Sequence, residues 1–396
     1  MSTPHLAILG SGPTGLEAAL AAAEKGYSFT VYEATPHVAG NIQSWEHVRL
    51  FTPWSLNVSP RMRRTLSEAG HSIPDSEDVC PTGGELVGQV LRPIAELPAI
   101  QGNLRLGTRV RRVGREGLLK HEEIGSAERS GRRFRLLVEN GDGEQSIEHA
   151  DLVIDCTGNE EPNPVGGSGI LAPGEESCAD LISHSIPNVS EDLESWRYQR
   201  VLVVGAGHSA QTALCALVDA GVEVVWALRG DVSRLRWDDD DPLPERATLT
   251  RRAHELASDP PANLSVLKEA TVESLRRDGD EAVVTFQRGN GKSSRARVGK
   301  ILAMTGKVGD HQLYRQLQIH ECYATQGPMK LAAALLGSSG GGGDCLAQTS
   351  LGADTLKNPE PGFFILGIKS YGRRSDFLMR VGWEQVDEVF QLLGAG

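Results

Sequence analysis

The first hydrophobic signal in the chain is a short apolar run, Leu6-Ala7-Ile8-Leu9, that stops at Gly10. Beyond Gly10-Ser11-Gly12-Pro13-Thr14-Gly15, apolar positions return at Leu16, Ala19, Leu20 and Ala23, the spacing of one helix face. A strand pattern, Ser28-Phe29-Thr30-Val31-Tyr32, comes next. The same grammar recurs later. Arg200-Val201-Leu202-Val203-Val204 reads as a buried strand and Gly205-Ala206-Gly207-His208-Ser209-Ala210 as a turn. Ala213, Leu214 and Leu217 continue a helix, and Val222-Glu223-Val224-Val225-Trp226-Ala227-Leu228 is the partner strand. Between the two blocks, alternation at Leu104-Arg105-Leu106 and at Phe134-Arg135-Leu136-Leu137-Val138-Glu139 predicts an antiparallel excursion over 102–150.

Strand, glycine turn and helix in that order make a phosphate cradle. In the first block Gly10 permits the turn, Gly12 lets the backbone approach a pyrophosphate, and Gly15 lets the helix close on the strand. The helix N-terminus then offers N–H groups and a positive dipole end to the phosphates. Glu33 stands 21 positions after Gly12 (33 minus 12), where an acid accepts hydrogen bonds from a ribose. The second block has no acid there. Arg229 ends its partner strand, with Arg234 and Arg236 close behind, and an arginine in this place pairs with the 2′-phosphate of NADP. Two cradles 195 residues apart (205 minus 10) imply two nucleotide domains, one for a resident cofactor and one for a cofactor that exchanges. FAD with NADPH is the expected pair.

Composition narrows the role. The chain has 396 residues, 39% hydrophobic and 23% charged, enough for two or three globular domains. Its net charge of -12 argues against nucleic acid or an anionic membrane as partner. With no run of 18 apolar residues and no basic, apolar leader, a cytoplasmic enzyme without a membrane span is expected. Its partner would be a small-molecule substrate, and a homodimer is the expected assembly. Gly337-Ser338-Ser339-Gly340-Gly341-Gly342-Gly343 has the composition of a flexible linker. The six cysteines, Cys80, Cys156, Cys178, Cys215, Cys322 and Cys345, include no Cys-x-x-Cys, which excludes a zinc knuckle or a dithiol of that spacing.

With these blocks in place, the sequence resembles the two-dinucleotide-binding-domain flavoproteins. That group includes thioredoxin-reductase-like enzymes, bacillithiol-disulfide-reductase-like proteins and flavin-containing monooxygenases. Four further features carry the resemblance. Asp151-Leu152-Val153-Ile154-Asp155-Cys156-Thr157-Gly158 is similar to the strand and Thr-Gly turn where such chains leave the FAD domain. Lys300-Ile301-Leu302-Ala303-Met304-Thr305-Gly306 is similar to the turn on the way back. His184-Ser185 lies where monooxygenases carry a histidine. Gly362-Phe363-Phe364-Ile365-Leu366-Gly367 resembles the strand that returns to the flavin, capped by a helix over 383–393. Four features depart from the group, the first being that Cys178-Ala179-Asp180-Leu181-Ile182-Ser183-His184 keeps only the histidine of the fuller aromatic-Gly…His…aromatic pattern of such monooxygenases. Thr14 stands where bacillithiol-disulfide-type proteins have a cysteine, the reductase Cys-x-x-Cys is absent, and Ile368-Lys369 replace the acid that often follows the C-terminal glycine.

The resemblance implies an α/β fold of two Rossmann-like dinucleotide-binding domains, an FAD domain with an inserted NAD(P)H domain. The FAD domain covers 1–165 and 310–396, and the NAD(P)H domain covers 185–309. FAD contacts fall on Gly10, Gly12, Pro13, Thr14, Gly15, Glu33, Arg49, Val110, Thr157, Gly158, Gly367 and Arg373. The second cradle supplies Gly205, Gly207, His208, Ser209, Ala210, Arg229 and Arg234, and Thr305 and Gly306 mark the second crossing. The segment 41–57 passes the flavin in related folds. Its Trp45, Phe51 and Trp54 shape an apolar pocket over the ring, with the core as the other place for Trp45 and Phe51. Its His47 and Arg49 bind flavin oxygens or a substrate anion, with the FAD pyrophosphate as the other partner for Arg49. Asn41, His47 and His184 are the candidate catalytic residues. The leading expectation is monooxygenation of a nitrogen or sulfur atom of a small molecule through a flavin hydroperoxide, which needs no protein nucleophile. A reductase of a disulfide, quinone or other small acceptor is the second expectation, and a non-catalytic redox-sensing flavoprotein the third.

Overall fold

The computed structural model describes residues 4–235, 240–338 and 348–394. Arg236, Ser339, Gly340 to Gly343 and Cys345 lie outside the described residues, as does the side chain of Arg234. The chain forms two compact units, Met1–Glu161 with Val308–Gly396, and Pro162–Lys307. Residues 166–184, outside every expected domain, fall in the second unit, and so do 162–165.

The first unit opens with β1 (His5–Leu9), α1 (Pro13–Glu24) and β2 (Ser28–Tyr32), and continues through β3 (Leu104–Arg105), β4 (Arg109–Arg115), β5 (Phe134–Glu139), β6 (Gln145–Ala150) and β7 (Leu152–Asp155). The second unit contains β8 (Ile182–Ser183), β9 (Arg200–Val204), α2 (His208–Asp219), β10 (Glu223–Ala227), α3 (Pro244–Ser258), β11 (Leu264–Leu267), β12 (Ala270–Asp278), β13 (Glu281–Arg288), β14 (Ser293–Val298) and β15 (Lys300–Ala303). The chain then returns to the first unit with α4 (Met329–Ser338), β16 (Phe363–Ile365) and α5 (Met379–Gly394).

Each unit is built the same way. In the first, a five-stranded parallel sheet runs in the order β16-β7-β1-β2-β3. Successive residues of β1 face opposite sides. Leu6 and Ile8 join Leu16, Leu20, Val386 and Phe390 of α1 and α5. Ala7 and Leu9 join Phe134, Leu136 and Val138 of the antiparallel sheet β4-β5-β6. A strand buried on both faces needs an unbroken apolar run, which is why this stretch shows no alternation. β5 alternates because only one of its faces is covered. In the second unit the parallel order is β11-β10-β9-β15-β8. Val201 and Val203 pack under α2, and Leu202 packs under Val284 and Phe286 of the antiparallel sheet β12-β13-β14. Two Rossmann-like layers of this kind are the expected fold class.

One expected element changes place. Leu104 and Arg105 do not start the antiparallel excursion. They pair parallel with Val31 and Tyr32 as the edge of the main sheet. Helical segments over 83–101 act as a crossover and bring the chain back alongside β2. Among the described residues no helix is long and apolar enough to cross a membrane.

Candidate functional site

In the first unit the carboxyl ends of β1 and β7 meet at the Gly10 loop. Gly10 has φ +97°, and a Cβ there would lie 2.7 Å from the Cys156 carbonyl oxygen. A Cβ at Gly15 would lie 2.0 Å from the Gly10 carbonyl. Both positions therefore exclude any side chain. Gly12 differs: a Cβ there would meet no protein atom within 4 Å, so the chain's own packing does not demand glycine. Gly12 caps α1 with no side-chain hydrogen bond, and Pro13 fills the first helical position. The N–H groups of that first turn, from Thr14 onward, are thus left for an anion.

Glu33 is buried below this loop and accepts four hydrogen bonds. Ser11 N–H and hydroxyl reach one oxygen, and Thr35 N–H and hydroxyl reach the other. Thr14 is half-buried and wedged between two glycines; a Cβ at Gly367 or at Gly382 would sit 2.8 Å from its hydroxyl. Gly367 has φ +71°, and its N–H donates to the fully buried Gln385 Oε1 at 2.9 Å. Thr157 donates its N–H and hydroxyl to Asp155 Oδ1. Asn159 donates its amide to the Gly372 carbonyl at 3.1 Å, which leaves its buried Oδ1 without a protein partner. An open glycine, an uncapped helix end, a buried acid and an orphaned acceptor are features that a bound FAD fits.

The segment 41–57 resolves into separate roles. Trp54 is buried in the main core, so it is no pocket wall. Trp45 lies half-buried against Gly83, and its indole N–H donates to Asn41 Oδ1 at 3.3 Å. Phe51 is half-buried. Arg49 is exposed, and its guanidinium donates to the Cys80 carbonyl. His47 is half-buried with its Nε2 unpartnered. Val110 sits half-buried on β4 opposite Val138. Arg373 is exposed at the turn after Tyr371, and its N–H donates to the Thr325 carbonyl at 2.7 Å.

In the second unit the strands are parallel, so their carboxyl ends share one edge. Gly205 has φ +129°, and a Cβ there would lie 2.3 Å from the Met304 carbonyl. Gly207 is open and caps α2 without a side-chain bond. His208 and Ser209 start that helix, and Ala210 is buried beneath it. Burial, reinforced by nearby Arg246, lowers the pKa of His208. Arg246 is itself held by Asp241 through two hydrogen bonds of 2.7 Å. Arg229 follows β10, exposed and with no ion pair among the described residues. His184 follows β8, and its Nδ1 stands 3.2 Å from the Ala303 carbonyl on the same edge. Thr305 donates its hydroxyl to the Asn163 carbonyl at 2.6 Å, and the Gly306 carbonyl accepts from Asn163 N–H.

None of the described cysteines, Cys80, Cys156, Cys178, Cys215 and Cys322, is in a disulfide. Cys156 lies under the Gly10 loop, and burial pushes its thiol well above the usual range. Burial likewise pushes Cys215 up to about 11. Hydrogen bonds from Thr325 lower Cys322. No cluster able to hold a metal occurs among the described residues.

Two polar groups escaped the sequence reading. The Lys369 ammonium is buried against Asp155 at 2.7 Å. Arg115 and Arg129, both buried, share Glu360. A charge closing an apolar run, as in Leu152-Val153-Ile154-Asp155, was the available signal for the first pair.

The sequence profile of a family described as pyridine nucleotide-disulphide oxidoreductase matches residues 4–322. No curated protein matches the chain by sequence. Among solved structures, bacillithiol disulfide reductase of Bacillus cereus superposes with a TM-score of 0.71 at 18% identity, over 100% of this chain and 99% of that one. Thioredoxin reductase of Lactococcus lactis gives 0.63 at 16%, over 100% of both chains. Ornithine N-hydroxylase of Kutzneria sp. 744, solved with reduced FAD, NADP+ and L-ornithine, gives 0.65 at 14%, over 100% and 99%. At these identities the likeness is one of fold.

Proposed function

The chain belongs to the pyridine nucleotide-disulphide oxidoreductase family, and on that premise we propose that it is an FAD-dependent monooxygenase that oxygenates a nitrogen or sulfur atom of a small molecule. FAD and NADPH are its cofactors. The Gly10 loop and Glu33 hold the first, and the Gly205 loop with Arg229 the second. When bound, FAD accepts a hydride equivalent from NADPH and passes it on to oxygen or another acceptor.

The observation that carries this reading is the state of the first loop. Thr14 occupies the position closest to Gly367, and Cys156 beneath it stays protonated because burial disfavours its thiolate. A disulfide reductase needs a thiolate nucleophile at its flavin, and this loop supplies none. Oxygen transfer needs no protein nucleophile, only a shielded site with fixed donors. In the first unit His47, with its unpartnered Nε2, and Asn41, whose Oδ1 accepts from Trp45, are the candidate groups for that. The likeness to an ornithine N-hydroxylase supports the same class of chemistry. The likeness to bacillithiol disulfide reductase supports the second reading, a reductase of a small acceptor.

Rapid mixing separates the two. The NADPH-reduced protein is mixed with O2 in the presence of a panel of amines and thioethers. A transient absorbing species distinct from oxidised and reduced flavin, with one oxygen atom recovered in product, is expected. Immediate reoxidation with stoichiometric hydrogen peroxide across the whole panel would sink the monooxygenase reading, and fast turnover with a disulfide or quinone would establish the other. Failure of NADPH to bleach the flavin would leave the redox-sensing reading.

A further inference from the structure

Lys369 is buried in the first unit, and nothing in either cradle accounts for it. Its side chain is 1% exposed, and all three ammonium protons are committed. They go to Asp155 Oδ2 at 2.7 Å, Thr157 Oγ1 at 3.0 Å and the Asp310 carbonyl at 3.0 Å. A lysine so engaged has no proton left for a substrate anion. Asp155 is saturated as well, because its other oxygen accepts the N–H and hydroxyl of Thr157 at 3.1 and 2.7 Å. The lysine stem is packed as closely as its head. A Cβ at Gly309 would lie 2.7 Å from two of its methylenes, and the Tyr314 ring centroid is 5.1 Å from the ammonium. One side chain thus joins three segments far apart in sequence: the end of β7, the stretch around Asp310, and the turn after β16.

Two of those segments border the first loop. The Cys156 carbonyl, next to Thr157, lies directly against Gly10. Gly367, two residues before Lys369, lies directly against Thr14. Gly158 and Gly367 both hold left-handed backbone, φ +73° and +71°, so each turn has a fixed, glycine-dependent shape. Lys369 bridges them. A buried ion pair is a poor source of net stability, since neutral replacements of both partners are often tolerated. What a bridge of this kind supplies is a fixed spacing between the turns.

We propose that Lys369 is a positioning residue for the flavin: it holds the Thr157-Gly158 and Gly367 turns at the spacing FAD requires, and its loss weakens FAD binding more than it weakens the fold. The inference rests on the reading of this unit as the FAD domain. Asn159, one residue beyond Gly158, is held by its amide bond to the Gly372 carbonyl, and its buried Oδ1 has no protein partner.

The test uses full-length protein: wild type, K369M, K369M/D155N and T157V. Each apoprotein is titrated with FAD by quenching of flavin fluorescence, and its thermal midpoint is measured on the same sample. K369M strands the Asp155 charge and is expected to melt lower. K369M/D155N removes both charges yet keeps an oxygen for the Thr157 N–H, and is expected to melt near wild type. Its FAD affinity is expected to fall about ten-fold or more, the scale set by one or two net hydrogen bonds. Its bound flavin should also show an altered visible band shape. T157V, which removes the hydroxyl that accepts from Lys369 and donates to Asp155 while sparing the Lys369–Asp155 pair, is expected to lose affinity about three-fold. Wild-type affinity and spectrum in a folded K369M/D155N would overturn the proposal. If that variant does not fold, wild-type affinity in T157V overturns it. Failure of the wild type itself to take up FAD would instead defeat the cofactor reading.

Discussion

Ser11 gives both of its donors to one oxygen of Glu33, the N–H at 2.9 Å and the hydroxyl at 2.6 Å. Thr35 does the same at the other oxygen, at 3.0 and 2.9 Å. The acid a ribose would address is therefore saturated before any ribose arrives. Binding exchanges a bond rather than adding one. The Thr35 side is the one that yields, because its single hydroxyl proton already has a second acceptor in the His37 carbonyl at 2.6 Å. Ser11 cannot yield as easily, since its hydroxyl also accepts from the Ala39 N–H at 3.0 Å.

Glu33→Gln is accordingly expected to weaken FAD binding by about 1.5–3 kcal/mol, the worth of a hydrogen bond to a charged group. Ser11→Ala should weaken it too, whereas Thr35→Ala should leave the affinity within about two-fold. FAD titration of the apoproteins checks all three. An unchanged Kd for Glu33→Gln would remove the ribose role.

The proposed reading gives Arg229 the choice of nicotinamide cofactor. It is exposed after β10, with no ion pair among the described residues to hold it, so its guanidinium is available to a 2′-phosphate. Arg229→Ala is expected to raise the NADPH KM by about 1.5–3 kcal/mol, that is ten-fold or more, and to change the NADH KM little. Steady-state kinetics with both nucleotides decides the matter, and equal effects would defeat the assignment.

The parts of this fold that were legible in sequence are local. Leu6-Ala7-Ile8-Leu9 and Val201-Leu202-Val203-Val204 announce strands buried on both faces, and each glycine cluster follows its strand directly. The pairing of Leu104 with Val31 was not legible, because a two-residue strand has no period and only the preceding crossover fixes its direction. Trp54 reads as a pocket wall and proves to be core, since an aromatic ring suits both and only burial separates them. The Lys369–Asp155 pair joins residues 214 apart, and Arg115–Glu360 joins residues 245 apart. No spacing rule spans such distances. Sequence alone marks these side chains as charged, and charge usually means surface.

Glu360 is a buried acid of the first unit whose loss should be felt in its stability. It accepts from Arg115 Nε at 2.6 Å, Arg129 Nη2 at 2.7 Å and the Gln318 N–H at 2.8 Å, and thereby ties the antiparallel sheet to the segment before β16. Glu360→Gln leaves two buried guanidinium groups short of a charge and is expected to cost about 3–5 kcal/mol. Burial alone would raise the Glu360 pKa, but the bonds from Arg129, Gln318 and Arg115 hold it below the ordinary 4.5. A depressed carboxylate contributes stability above its unfolded pKa and loses it as pH falls through the folded one. Wild type should therefore lose denaturant stability below about pH 4.5, and Glu360→Gln should show a shallower acid limb. Parallel acid limbs in the two proteins would show that this carboxylate is not the group titrating.

His208 sets a milder acid response in the second unit. It occupies the first position of α2, where the helix dipole is positive, and burial together with Arg246 lowers its pKa below 6.5. A histidine whose folded pKa is depressed takes up fewer protons in the native state than in the unfolded one. Native stability therefore rises with pH between the folded pKa and 6.5, and is lost as pH falls through that window. The melting temperature of the wild type is expected to drop between about pH 7 and pH 5 by more than that of His208→Asn, which cannot charge. Phosphate bound at the same helix end favours the protonated ring, so saturating NADPH should reduce the difference and take up protons on binding. Calorimetry of NADPH binding in two buffers of different ionisation enthalpy measures that uptake directly. Zero uptake at pH 6, with identical melting profiles for wild type and His208→Asn, would show that this imidazole stays clear of the phosphates.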